Sequence, residues 1–263
     1  MRFRAAIVRP PGATFAAGLT TAGLGAPDLA RARAQHEAVV EALERAGLEV
    51  TRLAPDDARP DATFVEDAAV ITARGAVLTR PGAPSRRDEP EGVRDAVSAL
   101  AGPPRAIAAP GTLDGGDVLE AGDRFFIGLS ARTNEAGAAQ LGTILAGWGY
   151  AVTTVDLRAR AGLLHLKSGV AAIDERLLVL DPALAEDDAF RGIARIVVPA
   201  GERYAANCVR VNDVMLIADG FPEVRRAIAA RGIPVVALDV SEFRKMDGGL
   251  SCLSLRVPER PEP

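Results

Sequence analysis

A recurring pair of short apolar runs is the feature that most restricts how this chain can fold. In each pair, two β-rich runs flank a few turn-forming residues. This pattern is typical of a β-hairpin. Four pairs occur, at residues 68–72 with 76–79, 118–120 with 125–128, 170–173 with 177–180, and 208–211 with 214–218. The chain therefore repeats a structural unit without repeating a sequence.

Helical patterns lie between these hairpins at residues 91–100, 134–148 and 187–193, before the first hairpin at 27–46 and after the last at 221–231. Two of them stop at a glycine, Gly47 and Gly232, which is a common way to end a helix. The terminal strands at 5–9 and 252–257 can supply a fifth hairpin by pairing with each other. We therefore predict an α/β ring of five strand–strand–helix–strand modules, because closure removes exposed sheet edges. The alternative is an open α/β sheet with hairpin excursions.

Composition limits the classes of protein to consider. The 263 residues are 48% hydrophobic and 25% charged, which fits a single globular domain over 1–257 with a polar, Pro-rich and disordered tail at 258–263. The net charge of −4 and the scattered basic residues argue against a nucleic-acid or membrane partner. No signal-peptide core is present, and no apolar run reaches the ~18 residues of a membrane span. The two cysteines indicate a reducing compartment, and we expect a cytoplasmic monomer or homodimer acting on a small molecule.

Polar clusters share one position in the repeat, directly before the first strand of each hairpin. If the modules surround one axis, side chains at the same position of each module lie at the same height. The clusters would then meet at one mouth of the ring, on strand ends that hold side chains rigidly. The clusters are residues 66–67, 114–117, 165–168, 206–207 and 247–251.

The cysteines and histidines divide into two reactive candidates and two packing residues. Cys252 follows two glycines, and we expect it to open the last strand as a nucleophile exposed at a turn. His165 lies between two leucines, and strand alternation would point it away from them; a buried packing histidine is the alternative. Cys208 is expected to be a small buried apolar residue, and His36 an exposed or packing residue of the first helix.

Cofactor motifs are absent from the sequence. The chain has no paired-cysteine or His-Glu-x-x-His spacing for zinc, and its acids do not alternate as in a calcium loop. It has neither a Gly-x-Gly-x-x-Gly segment nor a Walker-type loop. We therefore expect no metal and no cofactor.

Seven motifs in chain order resemble the dimethylarginine dimethylaminohydrolases, members of the guanidino-modifying superfamily that includes arginine deiminase. The resemblance extends from about residue 5 to residue 257. Any one motif is weak, but seven in the same order are specific. The motifs are FVED (64–67), RPGAPSRR (80–87), LDGGDV (113–118), SARTN (130–134), LHLKS (164–168), ANC (206–208) and SEFRKMDGGLSC (241–252).

The resemblance implies a five-bladed α/β propeller, the pentein fold, and assigns roles to individual residues. Cys252 would be the nucleophile and His165 the general acid and base, while Asp67 and Asp114 grip the guanidinium with Glu66 nearby. Many bacterial relatives carry Glu where this chain has Asp114, which leaves the fine substrate preference open. The residues implied at the amino-acid end of the substrate are Asp61, Arg86, Arg132 and the main chains of Leu19 and Met246.

The implied reaction is hydrolysis of an Nω-methylated arginine, either asymmetric dimethylarginine or monomethylarginine. The products would be citrulline and the corresponding methylamine, formed through a covalent cysteine intermediate. Alternatives on the same scaffold are an arginine deiminase, a citrulline hydrolase or a non-catalytic binding module. The glycine-rich segment 12–25 is predicted to be either a lid or an ordinary mobile loop.

Overall fold

Five small sheets of three strands each make up the architecture, as seen in a computed structural model that describes residues 2–259. Within each sheet an antiparallel pair is extended by a third strand that runs parallel to its neighbour. The strands are β1 (Phe3–Val8), β2 (Glu49–Arg52), β3 (Ala69–Thr72), β4 (Gly75–Leu78), β5 (Arg105–Ala106), β6 (Val118–Ala121), β7 (Arg124–Leu129), β8 (Ala151–Asp156), β9 (Val170–Ala172), β10 (Leu177–Leu180), β11 (Ala194–Val197), β12 (Val209–Val211), β13 (Val214–Ala218), β14 (Val235–Leu238) and β15 (Leu255–Pro258).

The sheets are ordered around a ring. Their strand orders are β15-β1-β2, β3-β4-β5, β6-β7-β8, β9-β10-β11 and β12-β13-β14. The first strands of neighbouring modules lie side by side, as β15 does with β3 and β9 does with β6 and β12. The four predicted hairpins and the predicted five-module propeller are therefore confirmed.

Pairing of the two terminal strands supplies the fifth module. β1 runs antiparallel to β15, with Ala5 opposite Val257 and Ile7 opposite Leu255. The last strand continues to Pro258, which lies opposite Phe3, so the ordered structure extends past the predicted domain boundary at 257. Residues 260–263 of the predicted tail lie outside the described residues.

Both faces of β1 are buried, which explains its unbroken apolar run. Ala6 and Val8 pack in one cluster with the first helix. Ala5 and Ile7 pack in another cluster with β3, β4 and β15. Full burial of a side chain as large as Ile7 contributes roughly 1.5–3 kcal/mol, so the paired ends are part of the core.

Four of the five predicted helical segments contain helices, and two short helices, at Leu166–Gly169 and Ser241–Arg244, were not predicted. Residues 187–193, predicted to be helical, contain only a 3-10 turn at Asp188–Phe190, because Phe190 is fully buried and the next residue, Arg191, leaves helical geometry. No helix among residues 2–259 is long and apolar enough to cross a membrane. The helices are α1 (Leu29–Arg45), α2 (Arg94–Ala101), α3 (Glu135–Gly147), α4 (Leu166–Gly169), α5 (Pro222–Ala229) and α6 (Ser241–Arg244).

His36 is buried in the middle of α1, not exposed. Its ring packs against Phe243 with centroids 6.5 Å apart, and its Nε2 atom has no hydrogen-bond partner. Burial lowers the pKa of His36 to about 4. The imidazole therefore stays neutral in the folded protein over a pH range in which the unfolded chain takes up a proton.

We expect this difference to make folding stability depend on pH. As pH falls from about 6.5 to about 4, the unfolded state gains a proton at His36 that the folded state does not, so stability is lost across that window, by up to roughly 3 kcal/mol. The variant His36→Leu should lose less stability than the parent between pH 7 and pH 5. Urea unfolding at both pH values measures the difference, and an equal loss in the two proteins would contradict the assignment.

Candidate active site

Five short helical turns precede the first strands of the modules and meet at one end of the ring. The turns at Val65–Ala68 and Ser251–Leu253 contact each other, and the turn at Gly115–Asp117 contacts both Val65–Ala68 and α4. α4 also contacts the fifth turn, at Ala200–Ala206. The polar clusters therefore converge at one mouth, as their position in the repeat predicted.

Cys252 lies inside a helical turn and not at the start of a strand, so the predicted strand position is wrong. Its amide donates to the Gly249 carbonyl at 3.2 Å, and the strand begins only at Leu255. The preceding glycines are required by close packing. A Cβ on Gly248 would lie 2.3 Å from the Phe64 ring, and a Cβ on Gly249 would lie 2.4 Å from Asn207 Oδ1.

The thiol of Cys252 is 9% exposed and is held in its neutral form. Burial raises its pKa to about 12, and the negative charges of Glu66 and Asp67 act in the same direction. Burial also raises the pKa of Cys208 to about 12, but that thiol packs in an apolar cluster with Met215. Cys208 is thus a packing residue, as predicted.

His165 and Asp114 form a buried pair at the mouth. The chain turns into α4 directly after His165, so the predicted strand alternation around this residue is wrong. His165 Nε2 lies 3.0 Å from Asp114 Oδ2, and the Gly82 amide donates to Asp114 Oδ1 at 2.8 Å. Burial alone would lower the pKa of His165, but the Asp67 charge and the Asp114 hydrogen bond outweigh it and raise the pKa to about 9. His165 therefore carries a proton at neutral pH.

Asp67 is fixed by partners on both carboxylate oxygens. The Gly116 amide donates to Oδ1 at 2.8 Å, and Arg86 Nη1 donates to Oδ2 at 2.7 Å. Burial opposes ionisation, but the charges of His165 and Arg86 lower the pKa of Asp67 to about 2. The second carboxylate on Arg86 is Glu89, which sequence reasoning missed although the three-residue spacing of an acid and an arginine was visible.

The residues implied at the amino-acid end also lie close together. The Leu19 amide donates to Asp61 Oδ1 at 3.0 Å, and a Cβ on Gly18 would lie 2.6 Å from the same oxygen and 3.2 Å from Met246 Cε. Arg132 has a buried Nη1 atom without a hydrogen-bond partner. By contrast, every guanidinium nitrogen of Arg86 already donates to a protein group. The structure thus leaves a buried guanidinium nitrogen without a partner on Arg132, whereas each guanidinium nitrogen of Arg86 has at least one.

Glu66 closes the inner end of the site. It accepts from Lys167 Nζ at 2.7 Å, from Arg256 Nη2 at 2.8 Å and from Ser251 Oγ at 2.7 Å. These four residues also line one end of a cavity of about 620 Å³ that is walled by the first strands of the modules. Sequence reasoning placed Glu66 at the site but missed its three partners.

One cluster at the mouth has the geometry of a metal site. Single ligand atoms of Asp67, Asp114 and His165 lie within 4.8 Å of one another. Arg86 and the Gly116 amide already use both oxygens of Asp67, and His165 shares its proton with Asp114. A protonated imidazole has no lone pair for a metal ion, so an organic cation that donates hydrogen bonds to the remaining carboxylate lone pairs suits this cluster better.

Five modules of this kind around one axis, with polar turns meeting at a mouth, define the pentein class of α/β propellers. No family model matches the chain. A dimethylarginine dimethylaminohydrolase of Pseudomonas aeruginosa is 42% identical over 97% of this chain and 99% of its own. One from Streptomyces coelicolor is 36% identical over 98% and 99%. A solved structure of a cysteine-to-serine mutant of the Pseudomonas enzyme, complexed with citrulline, has a TM-score of 0.94 at 41% identity, covering 97% of this chain and all of that one.

The chain therefore belongs to the dimethylarginine dimethylaminohydrolase family. The motif-based resemblance is confirmed over nearly the whole length of the chain.

The charge of Glu66 gives a test of the thiol environment. Glu66→Gln removes a negative charge near Cys252 and leaves Lys167 and Arg256 without their shared carboxylate, so the pKa of the thiol should fall. Alkylation of Cys252 by iodoacetamide at pH 8 should then be at least about tenfold faster, because one pKa unit changes the thiolate fraction tenfold.

Mass spectrometry of the Cys252 peptide measures the alkylation rate, with Cys208 as an internal control. Glu175→Gln, an exposed glutamate at the far end of the ring, is the matched variant and should leave the rate unchanged. A Glu66→Gln protein that reacts at the parent rate would contradict the electrostatic account.

Proposed function

We propose that this protein hydrolyses an Nω-methylated arginine, dimethylated or monomethylated, to citrulline and a methylamine through a covalent bond to Cys252. The observation that carries the proposal is the placement of two buried carboxylates, Asp67 and Asp114, around His165 at one mouth. The relatives named for this activity, and the one solved with citrulline, support the substrate class.

The carboxylates supply what a guanidinium needs for binding. A guanidinium is planar and cationic, and it pairs with carboxylates through charge-assisted hydrogen bonds. Each oxygen of Asp67 and Asp114 has two lone pairs, so it can accept from the substrate while keeping its present partner. Binding in this way orients the central carbon of the guanidinium toward the sulfur.

Substrate binding also activates the nucleophile. In the free protein, burial and then the negative charges of Glu66 and Asp67 raise the pKa of the Cys252 thiol and hold it neutral. A bound cation beside Asp67 offsets the negative charge, so the pKa of the thiol falls, its proton passes to solvent and the reactive thiolate forms. The positive charge of the substrate thereby helps to form the thiolate that attacks it.

The chemistry follows in two halves. The Cys252 thiolate adds to the guanidinium carbon, and His165, protonated at neutral pH, gives its proton to the methylated nitrogen, whose bond to carbon then breaks. A water molecule next adds to the same carbon while His165 takes one of its protons. The carbon–sulfur bond breaks, the remaining hydroxyl proton passes to the departing sulfur, and citrulline and the neutral thiol are released. One histidine thus acts first as acid and then as base.

Recognition of the amino-acid end falls to Arg132, Asp61 and the Leu19 and Met246 main chains. Arg132 would offer its unpartnered nitrogen to the substrate carboxylate, and Asp61, a buried carboxylate, would accept from the protonated amine. Arg86 was also predicted to bind the substrate carboxylate. That role stays a prediction, because the guanidinium of Arg86 donates hydrogen bonds to Asp67 and Glu89 in this structure.

Segment 12–25 is proposed as the lid over this mouth. It is anchored where Thr20 Oγ1 donates to the Lys245 carbonyl and where the Thr21 amide donates to Asp247. Two free cysteines fit the reducing cytoplasm. We also propose that the protein is a monomer or a homodimer and that its ligand is a small molecule.

Incubation with asymmetric dimethylarginine is the direct test. The parent protein should release citrulline and dimethylamine in equal amounts, and Cys252→Ser should release neither, because a serine hydroxyl is a far weaker nucleophile than a thiolate. Product analysis by chromatography distinguishes the alternatives: ammonia from arginine indicates a deiminase, and ammonia from citrulline indicates a citrulline hydrolase. Release of citrulline by Cys252→Ser at the parent rate would refute the covalent step.

Arg132 gives a second test, of substrate orientation. Arg132→Ala should raise KM for dimethylarginine by about 10- to 100-fold, the range expected for losing a hydrogen bond between charged groups worth ~1.5–3 kcal/mol. With dimethylguanidine, which lacks the amino-acid end, parent and variant should react alike. Arg158→Ala, an exposed arginine paired with Asp156, is the control. An unchanged KM for dimethylarginine in Arg132→Ala would remove Arg132 from the site.

A further inference from the structure

The geometry points to Asp117 as a positioning residue that holds His165 and Asp114 in their reactive arrangement. This inference rests on the proposed function and deepens it. Asp117 is fully buried. Its side chain accepts from Ser130 Oγ and the Leu166 amide, and neither group takes part in the proposed reaction. These groups instead hold the residues that do.

One oxygen of Asp117 fixes the turn that carries the histidine. The amide of Leu166, the residue directly after His165, donates to Asp117 Oδ1 at 2.9 Å. This bond joins the β6–β8 module to the β9–β11 module at the point where the chain enters α4. Neighbouring backbone packs tightly here, because a Cβ on Gly128 would lie 2.8 Å from the same oxygen. The main chain at His165 therefore has little freedom to shift.

The other oxygen of Asp117 reaches Asp114 through two hydroxyl side chains. Ser130 Oγ donates to Asp117 Oδ2 at 2.6 Å and accepts from the amides of Arg132 and Thr133 at 3.0 and 3.2 Å. Thr133 Oγ1 in turn accepts from the Asp114 amide at 3.1 Å. Since Asp114 bonds to His165, these contacts close a loop around the catalytic pair.

Only a carboxylate satisfies both partners of this residue. The Leu166 amide is a donor, and both lone pairs of the Ser130 hydroxyl are taken by backbone amides, so that the hydroxyl too has only a proton to offer. An asparagine has one acceptor atom and would place its NH₂ group against one of these donors. Burial raises the pKa of Asp117 to about 6, so the carboxylate is ionised at neutral pH, and its charge helps to stabilise the protonated form of His165.

The test compares Asp117→Asn with a matched variant, Asp181→Asn. Asp181 is another buried carboxylate that accepts from a backbone amide, Ala183, and from a polar side chain, Arg203. It lies outside the catalytic contacts. Steady-state kinetics with dimethylarginine and NMR titration of His165 are measured for both, with His36→Gln used to assign the two histidines.

Asp117→Asn should lower kcat by about 10- to 100-fold, the usual effect of removing a group that orients a catalytic side chain, while KM changes less than about threefold. The pKa of His165 should fall by about one unit or more, since a unit negative charge is lost nearby. Asp181→Asn should change neither. Equal kcat losses in the two variants, or a His165 titration unmoved in Asp117→Asn, would overturn the inference.

Ser130→Ala provides a second variant if Asp117→Asn does not fold. It keeps the charge but cuts the connection to Arg132 and Thr133, so kcat and KM should both worsen while the His165 pKa changes little. Kinetics identical to the parent would overturn the inference. The His165 titration needs no substrate, so its outcome stands even if dimethylarginine is not turned over, and the two failures are distinguishable.

Discussion

Neutralisation of buried charge at the mouth of the ring is the constraint on which the rest of this structure depends. Removing an ion from water costs several kcal/mol unless a partner compensates it. Glu66 is compensated by Lys167 and Arg256, and Asp67 by Arg86 and a backbone amide. Lys167, Arg256 and the Gly116 amide come from modules other than the one that carries Glu66 and Asp67. The ring must therefore close in register before the charges are satisfied, and the arrangement that satisfies them is also the one that assembles the site.

The fold was largely predictable because each module carries its own local signals. Hairpin turns, helix-ending glycines and the common position of the polar clusters are all readable over a few residues, and together they imply an axis. What escaped prediction depends on contacts between modules. Cys252 was placed on a strand because its apolar neighbours suit one, whereas the packing of Gly248 and Gly249 against Phe64 and Asn207 holds a helical turn there.

The sequence predicted that Asp67, Asp114 and His165 come together, as they do, but it did not predict their hydrogen-bond partners. The motifs marked Asp67, Asp114 and His165, because each falls at the same point of the repeat. Nothing local could show that Arg86 pairs with Asp67, or that Lys167 and Arg256 share Glu66, since such partners are distant in sequence. The sequence gives the type of each side chain. Its protonation state and its free hydrogen-bonding groups depend on the residues that surround it in the folded protein.

Pairing of β1 with β15 has a consequence for how the protein is made. A ribosome produces the first strand long before the last, and domains tend to fold as soon as their residues have emerged. Here the opening strand stays without its antiparallel neighbour until β15 exists, and Cys252, the proposed nucleophile, lies in the turn just before β15. The last strand to be synthesised therefore completes the fifth module, and its arrival also brings the turn of Cys252 against the turn of Asp67.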